Sequence, residues 1–144
     1  MLARTLLVAS GAFDGRLSAR RVAAAVARGL QDGGWATELC PIDSPGLATA
    51  AVRELLDSLG FDARMRSSRA LIVCERRLHE DTLAGSVAFE IATRARQTGV
   101  PAFAVTAHNR LDSFDARILD LQAIVEARGE RSLRNAGRKL AGLV

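Results

Sequence analysis

The sequence predicts an α/β protein: a five-stranded parallel, doubly wound sheet of flavodoxin-like or Rossmann-like type, layered α/β/α. Two observations carry this. Short apolar runs alternate with longer runs of helical period from one end of the chain to the other. The short runs also lack an in/out alternation, as strands covered on both faces by helices do.

Taken in order, "ARTLLVA" (3–9) reads as a buried strand. "SARRVAAAVARGLQDGG" follows as a helix, with Ser18 as N-cap, Val22, Val26 and Leu30 on one face, and Gly33–Gly34 as the stop. "WATELCPI" (35–42) is a second strand, more polar and therefore at an edge. After the turn "DSPG", the run "LATAAVRELLDSLG" places Val52, Leu55, Leu56 and Leu59 at helical spacing. "FDARMRSS" reads as a polar loop. "RALIVC" (69–74) is a third, strongly buried strand, and "ERRLHEDTLAG" a loop after it. "SVAFEIATRARQTG" is a helix with Val87, Ile91 and Ala95 inward, ended by Gly99. "VPAFAVTA" (100–107) is a fourth strand, with Pro101 tolerated near its start. "SFDARIL" is a short helix, "LQAIVEA" (121–127) a fifth strand, and "RSLRNAGRKLAGLV" a terminal helix. Five strands thus alternate with five helices, and right-handed crossovers complete the sheet.

The 144 residues suffice for one domain, 1–144, with one core. Hydrophobic residues at 49% and charged residues at 25% are those of a soluble globular protein. No apolar run approaches the ~20 residues of a membrane span. The apolar part of the opening residues is too short for a secretory signal and serves better as a strand. A cytoplasmic location without a membrane partner is therefore expected. The net charge of +4 comes from arginines spread along the chain, with Lys139 the one lysine. Aromatics are 4% and tyrosine is absent, which leaves few stacking platforms and argues against a nucleic-acid partner. Cys40 and Cys74 form no disulfide framework and read as buried free thiols.

With strand order 2-1-3-4-5, a ligand would lie beyond the carboxyl ends of the first and third strands. The loops there are "SGAFDGRL" and "ERRLHEDTLAGS". Arg16, Arg76, Arg77 and Arg110 all fall in loops on that edge. If they converge with the N-termini of the first and third helices, they form an anion site; otherwise they are solvent-facing cations. His79 and His108 sit on the same edge without metal-ligand spacing, so no metal is expected. "GAFDG" lacks the full GxGxxG pattern, and no serine lies in a GxSxG elbow.

These two loops resemble the glycerate kinases of the larger, two-domain bacterial type. That family opens with a strand and then Ala-Pro-Asp-Ser-Phe-Lys-Gly-Ser-Leu-Ser-Ala; residues 9–19 here read "ASGAFDGRLSA". Its later motif, Gly-Glu-Gly-Arg-(Leu/Ile)-Asp-x-Gln-Thr-x-x-Gly-Lys, is matched by Cys74 to Ser86. The resemblance implies a flavodoxin-like domain whose inserted middle domain is missing. It also implies ATP and Mg as the cofactors that phosphorylate D-glycerate in family members. The carry-over is uneven. Phe13, Gly15, Leu17, Ser18, Glu75, Arg77, Leu78, Thr82 and Gly85 match the motifs, while the family's lysine is Asp14 in the first motif and Ser86 in the second. His79 and Asp81 replace an aspartate and a glutamine, and "SPGLAT" (44–49) lacks the family's two carboxylates. Each lost donor or cation would cost ~3–4 kcal/mol of transition-state stabilisation.

What the resemblance implies is therefore a shortened glycerate-kinase-like domain, a pseudoenzyme that binds an anionic metabolite or nucleotide. The expected ligand-binding residues are Gly11, Phe13, Asp14, Gly15, Arg16, Glu75, Arg76, Arg77, Thr82, Gly85, Ser86 and Arg110, with no catalytic residue assigned. One alternative is glycerate kinase activity, retained or completed by a partner chain. Another is a non-catalytic homo-oligomeric interaction module, such as a homodimer.

Overall fold

The computed structural model of the chain describes residues 4–43, 48–82 and 85–144. Five parallel strands, β1 (Thr5–Ser10), β2 (Ala36–Pro41), β3 (Ala70–Leu78), β4 (Ala102–Asn109) and β5 (Ile124–Glu126), form one sheet in the order β2-β1-β3-β4-β5. The predicted fold class is the observed one. Leu6, Leu7 and Val8 of β1 are all fully buried, because helices cover both faces of the central strands. β2 is the more exposed edge.

One face carries α1 (Ala19–Asp32) and α6 (Glu130–Ala141), which pack on each other and over Leu6, Val8, Ile72 and Val105. The opposite face carries α2 (Thr49–Ser58), α3 (Phe61–Arg66) and α4 (Val87–Thr98), over Leu7, Leu71 and Val73. The apolar stripe Val22–Val26–Leu30 fixes the rotation of α1, and Ser18 Oγ caps it by accepting from Arg21 N at 3.2 Å. Between β4 and β5 lies the short α5 (Ser113–Leu119).

Three elements depart from the sequence reading. "FDARMRSS" is not a loop: Phe61 and Met65, one turn apart, are fully buried and draw residues 61–66 into α3. The third strand does not stop at Cys74; Glu75, Arg76 and Arg77 continue the ladder, with Glu75 opposite Thr106 and Arg77 opposite His108. The fifth strand is shorter than its apolar run. Only Ile124–Glu126 pairs with β4, although Gln122 N still donates to Ala102 O at 2.8 Å. Among the described residues no helix is long and apolar enough to cross a membrane.

Candidate functional site

Strand order reverses at β1, whose neighbours are β2 and β3. The loops leaving β1 and β3 consequently diverge and open a crevice beyond the strand ends. A cavity of about 420 Å³ lies there. Ala9, Gly11 and Val73 lie on the strand side; Ile42 after β2 and Val87 in the first turn of α4 wall it. Its ionisable side chains among the described residues are Asp43, which is exposed, and Glu75, which is partly buried, apart from the inert thiol of Cys74. Removal from water pushes the Glu75 carboxyl up to about 7. Burial likewise pushes the Cys74 thiol up to about 12 and raises that of Cys40, so neither is a thiolate at neutral pH.

The β1–α1 loop beside the crevice closes on itself. Phe13 and Leu17 are buried in the α1-side core, and Phe13 N donates to Leu17 O at 2.9 Å. Asp14 Oδ1 accepts from Arg16 N at 2.6 Å and Leu17 N at 2.9 Å. Those two backbone donors hold the Asp14 carboxyl below its ordinary value. Gly15 and Arg16 face solvent. The loop thus supplies its own anion to two of its amides.

The four arginines, which would form an anion site if they converged, do not all face one place, although Arg16 and Arg76 both act on Asp14. Arg76 and Arg77 are consecutive strand residues and point to opposite faces of the sheet. Arg110 follows the end of β4 and is exposed. Ser86 Oγ is spent on capping α4, accepting from Phe89 N at 3.0 Å. Gly85 has φ +80, and a Cβ there would collide with the Thr49 hydroxyl, so this glycine sets how closely the loop approaches α2. Thr82 ends the turn Glu80–Thr82, and the role expected of its side chain lies outside the described residues. His79 Nδ1 accepts from Asp81 N at 3.2 Å, and His108 belongs to β4 rather than to a loop. Among the described residues no three potential metal ligands come together.

Of the twelve residues expected at the site, Gly11 and Glu75 line the crevice among the described residues. Ile42, Asp43, Val73 and Val87 line it unforeseen. The first two directly follow β2, so position at a strand's carboxyl end was the signal that would have found them.

No protein-family model and no curated protein matches the sequence. Solved structures do match. A diflavin flavoprotein from Nostoc sp. superposes with a TM-score of 0.51 and 12% identity, covering 99% of this chain and 94% of its own. A de novo designed Rossmann 2x3 protein gives 0.54 and 11%, covering 99% and 91%. A radical S-adenosylmethionine methyltransferase from Kitasatospora setae gives 0.54 and 17%, covering 97% of this chain and 25% of its own. These findings overturn the glycerate kinase kinship, and with it the phosphotransferase and pseudoenzyme readings and the ATP and Mg cofactors. The physical reason lies in the shared motif. Phe13 and Leu17 anchor the turn, Asp14 closes it and Ser18 caps the helix, so the matching pattern is explained by what a strand–turn–helix unit needs to fold. The likeness is one of architecture: the chain has a flavodoxin-like, Rossmann-like α/β fold with a five-stranded all-parallel sheet.

Proposed function

We propose that this chain binds a small, non-phosphorylated organic molecule in the crevice between the carboxyl ends of β1 and β3. One observation carries the reading: the 420 Å³ cavity at the strand-order reversal joins apolar walls to a partly buried carboxyl, Glu75. Concave, mostly apolar sites with one or two placed polar groups are where small ligands bind.

Sheets of this order seat FMN at the same reversal, and one matched structure is a diflavin flavoprotein. The residues here do not fit that nucleotide. The N–H groups of Phe13, Arg16 and Leu17 are bonded inside the loop, the last two to the Asp14 carboxylate. Among the described residues no aromatic side chain lines the crevice, so a flat ring would meet Ile42 and Val87 instead of a stacking partner. No redox step is assigned. Residues 1–144 are read as one domain, and the two buried free thiols support a cytoplasmic location.

A fragment screen by protein-observed NMR, with riboflavin and FMN included, tests the reading. Bound fragments are expected to move the amide signals of Gly11, Val73 and Glu75, with riboflavin binding more tightly than FMN. The substitution Gly11→Leu is expected to abolish these shifts without unfolding the chain. A Cβ at Gly11 has only Ile42 O, at 3.9 Å, within contact range, and its backbone is not left-handed. Shifts that map elsewhere, or that survive Gly11→Leu, overturn the reading.

A further inference from the structure

The polar groups around the crevice are unequal in kind. Three of its donors are engaged: Ser10 Oγ donates to Gly11 O at 2.8 Å, Gly11 N to Cys74 O at 3.1 Å, and Ile42 N to Ser10 O at 2.8 Å. Its carboxylates are not. Among the described residues no hydrogen bond or ion pair engages the Glu75 or the Asp43 side chain. Among the described residues no basic side chain lines the cavity. Arg76 points to the other face of the sheet, and Arg77, although on the Glu75 face, lies beyond the cavity. A ligand here meets two carboxylates, with apolar surface behind them.

We propose that the crevice selects ligands that present a cationic nitrogen donor, an amine or amidine on an apolar body, and that Glu75 is the residue that sets this preference. This deepens the crevice-binding reading and rests on it. A nitrogen cation seated on Ala9, Val73 and Val87 places its apolar part against the walls and its N–H groups within reach of an unpaired carboxylate. An anion of the same shape meets that carboxylate as a like charge, which costs it affinity. Asp43, exposed at the rim, acts in the same direction but through solvent, so its share is smaller.

Three probes of one shape separate the terms: benzamidinium, benzamide and benzoate, titrated at pH 8 and low salt while the Gly11 and Glu75 amide signals are followed. Benzamidinium is expected to bind about tenfold more tightly than benzamide, as suits a hydrogen bond to a charged group, with benzoate weakest. In Glu75→Gln the advantage of benzamidinium over benzamide is expected to fall below about twofold. That variant removes a buried charge and adds no bulk, so it keeps the fold. Equal binding of all three probes, or tighter binding of benzoate, overturns the proposal and leaves the crevice reading standing. A benzamidinium preference that survives Glu75→Gln also overturns it. If no probe moves the crevice signals, the binding reading fails and the charge preference fails with it.

Discussion

Glu75 follows Cys74 where β3 emerges from the core, and the sheet does not let it turn fully to water. Its neighbour across the ladder is Thr106, a buried residue, and its carboxyl is held up to about 7 by burial, against an ordinary 4.5. The consequence for stability has a definite sign. Below pH 4.5 the carboxyl is protonated in folded and unfolded chains alike. Between 4.5 and 7 the folded chain keeps a proton that the unfolded chain has released, so stability falls as pH rises, and the whole loss is present above 7. A shift of this size corresponds to up to about 3 kcal/mol. Glu75→Gln is therefore expected to be more stable than the parent at pH 8 and equal to it at pH 4.5, as read by urea unfolding at both values. Equal pH slopes for the two proteins would contradict this. At this scale the sequence was only partly legible. Position in the chain singled out Gly11 and Glu75. Ile42 and Asp43 were hidden because they look like the turn they begin, and Val87 because helical spacing assigns it to the core. Arg76 and Arg77 misled because their membership in β3 rests on pairing with β4, and no local pattern announces a partner strand.

Helix α1 meets α6 at backbone distance. Gly29 sits against Arg134 O, and Gly137 against Val26 O; a Cβ built on either glycine overlaps the facing backbone. The crossing is cross-tied at its two ends, where Asp32 accepts from Arg134 and Arg138, and Arg21 pairs with Glu130. These pairs are exposed and add little; the close approach itself brings Leu133, Ala136 and Leu140 into the core over Val26 and Leu30. Alanine at position 137 gains helix propensity worth about 1 kcal/mol, but it must push the two helices apart, and overpacking costs typically 1–3 kcal/mol or more. Because the obstacle is a carbonyl oxygen and not a mobile side chain, the cost is expected to win. Gly137→Ala should lower stability by about 2 kcal/mol or more, measured by urea unfolding, whereas Gly15→Ala, at an exposed position with no atom near its Cβ, should change it by less than about 0.5 kcal/mol. Legibility differs by element for the same reason. Ser18, the Val22–Val26–Leu30 stripe and Gly99 announce their helices locally. By contrast α3 offers only Phe61 and Met65 among polar residues, too short a stripe to register until the core that receives both is in place.

The sheet divides the interior into two packings that share only its backbone. Leu71 belongs to the half under α2, α3 and α4; Ile72, the next residue, belongs to the half under α1 and α6. Both are fully buried in β3, the strand between β1 and β4. A methylene removed from Ile72 leaves a gap on one side, and a truncated Leu71 leaves one on the other, with no side-chain neighbour in common. Ile72→Val is expected to cost about 0.5–1.5 kcal/mol and Leu71→Ala about 2–5 kcal/mol. Residues adjacent in sequence usually couple, yet here the double variant should equal the sum within about 0.5 kcal/mol. One urea transition with an unchanged slope should persist in all three proteins, since neither half holds its helices without the sheet. A coupling above about 1 kcal/mol would mean that β3 shifts bodily when either side is thinned. In that case the crevice at its carboxyl end would move with it, and the Gly11 and Glu75 amide signals would report the displacement in the same samples.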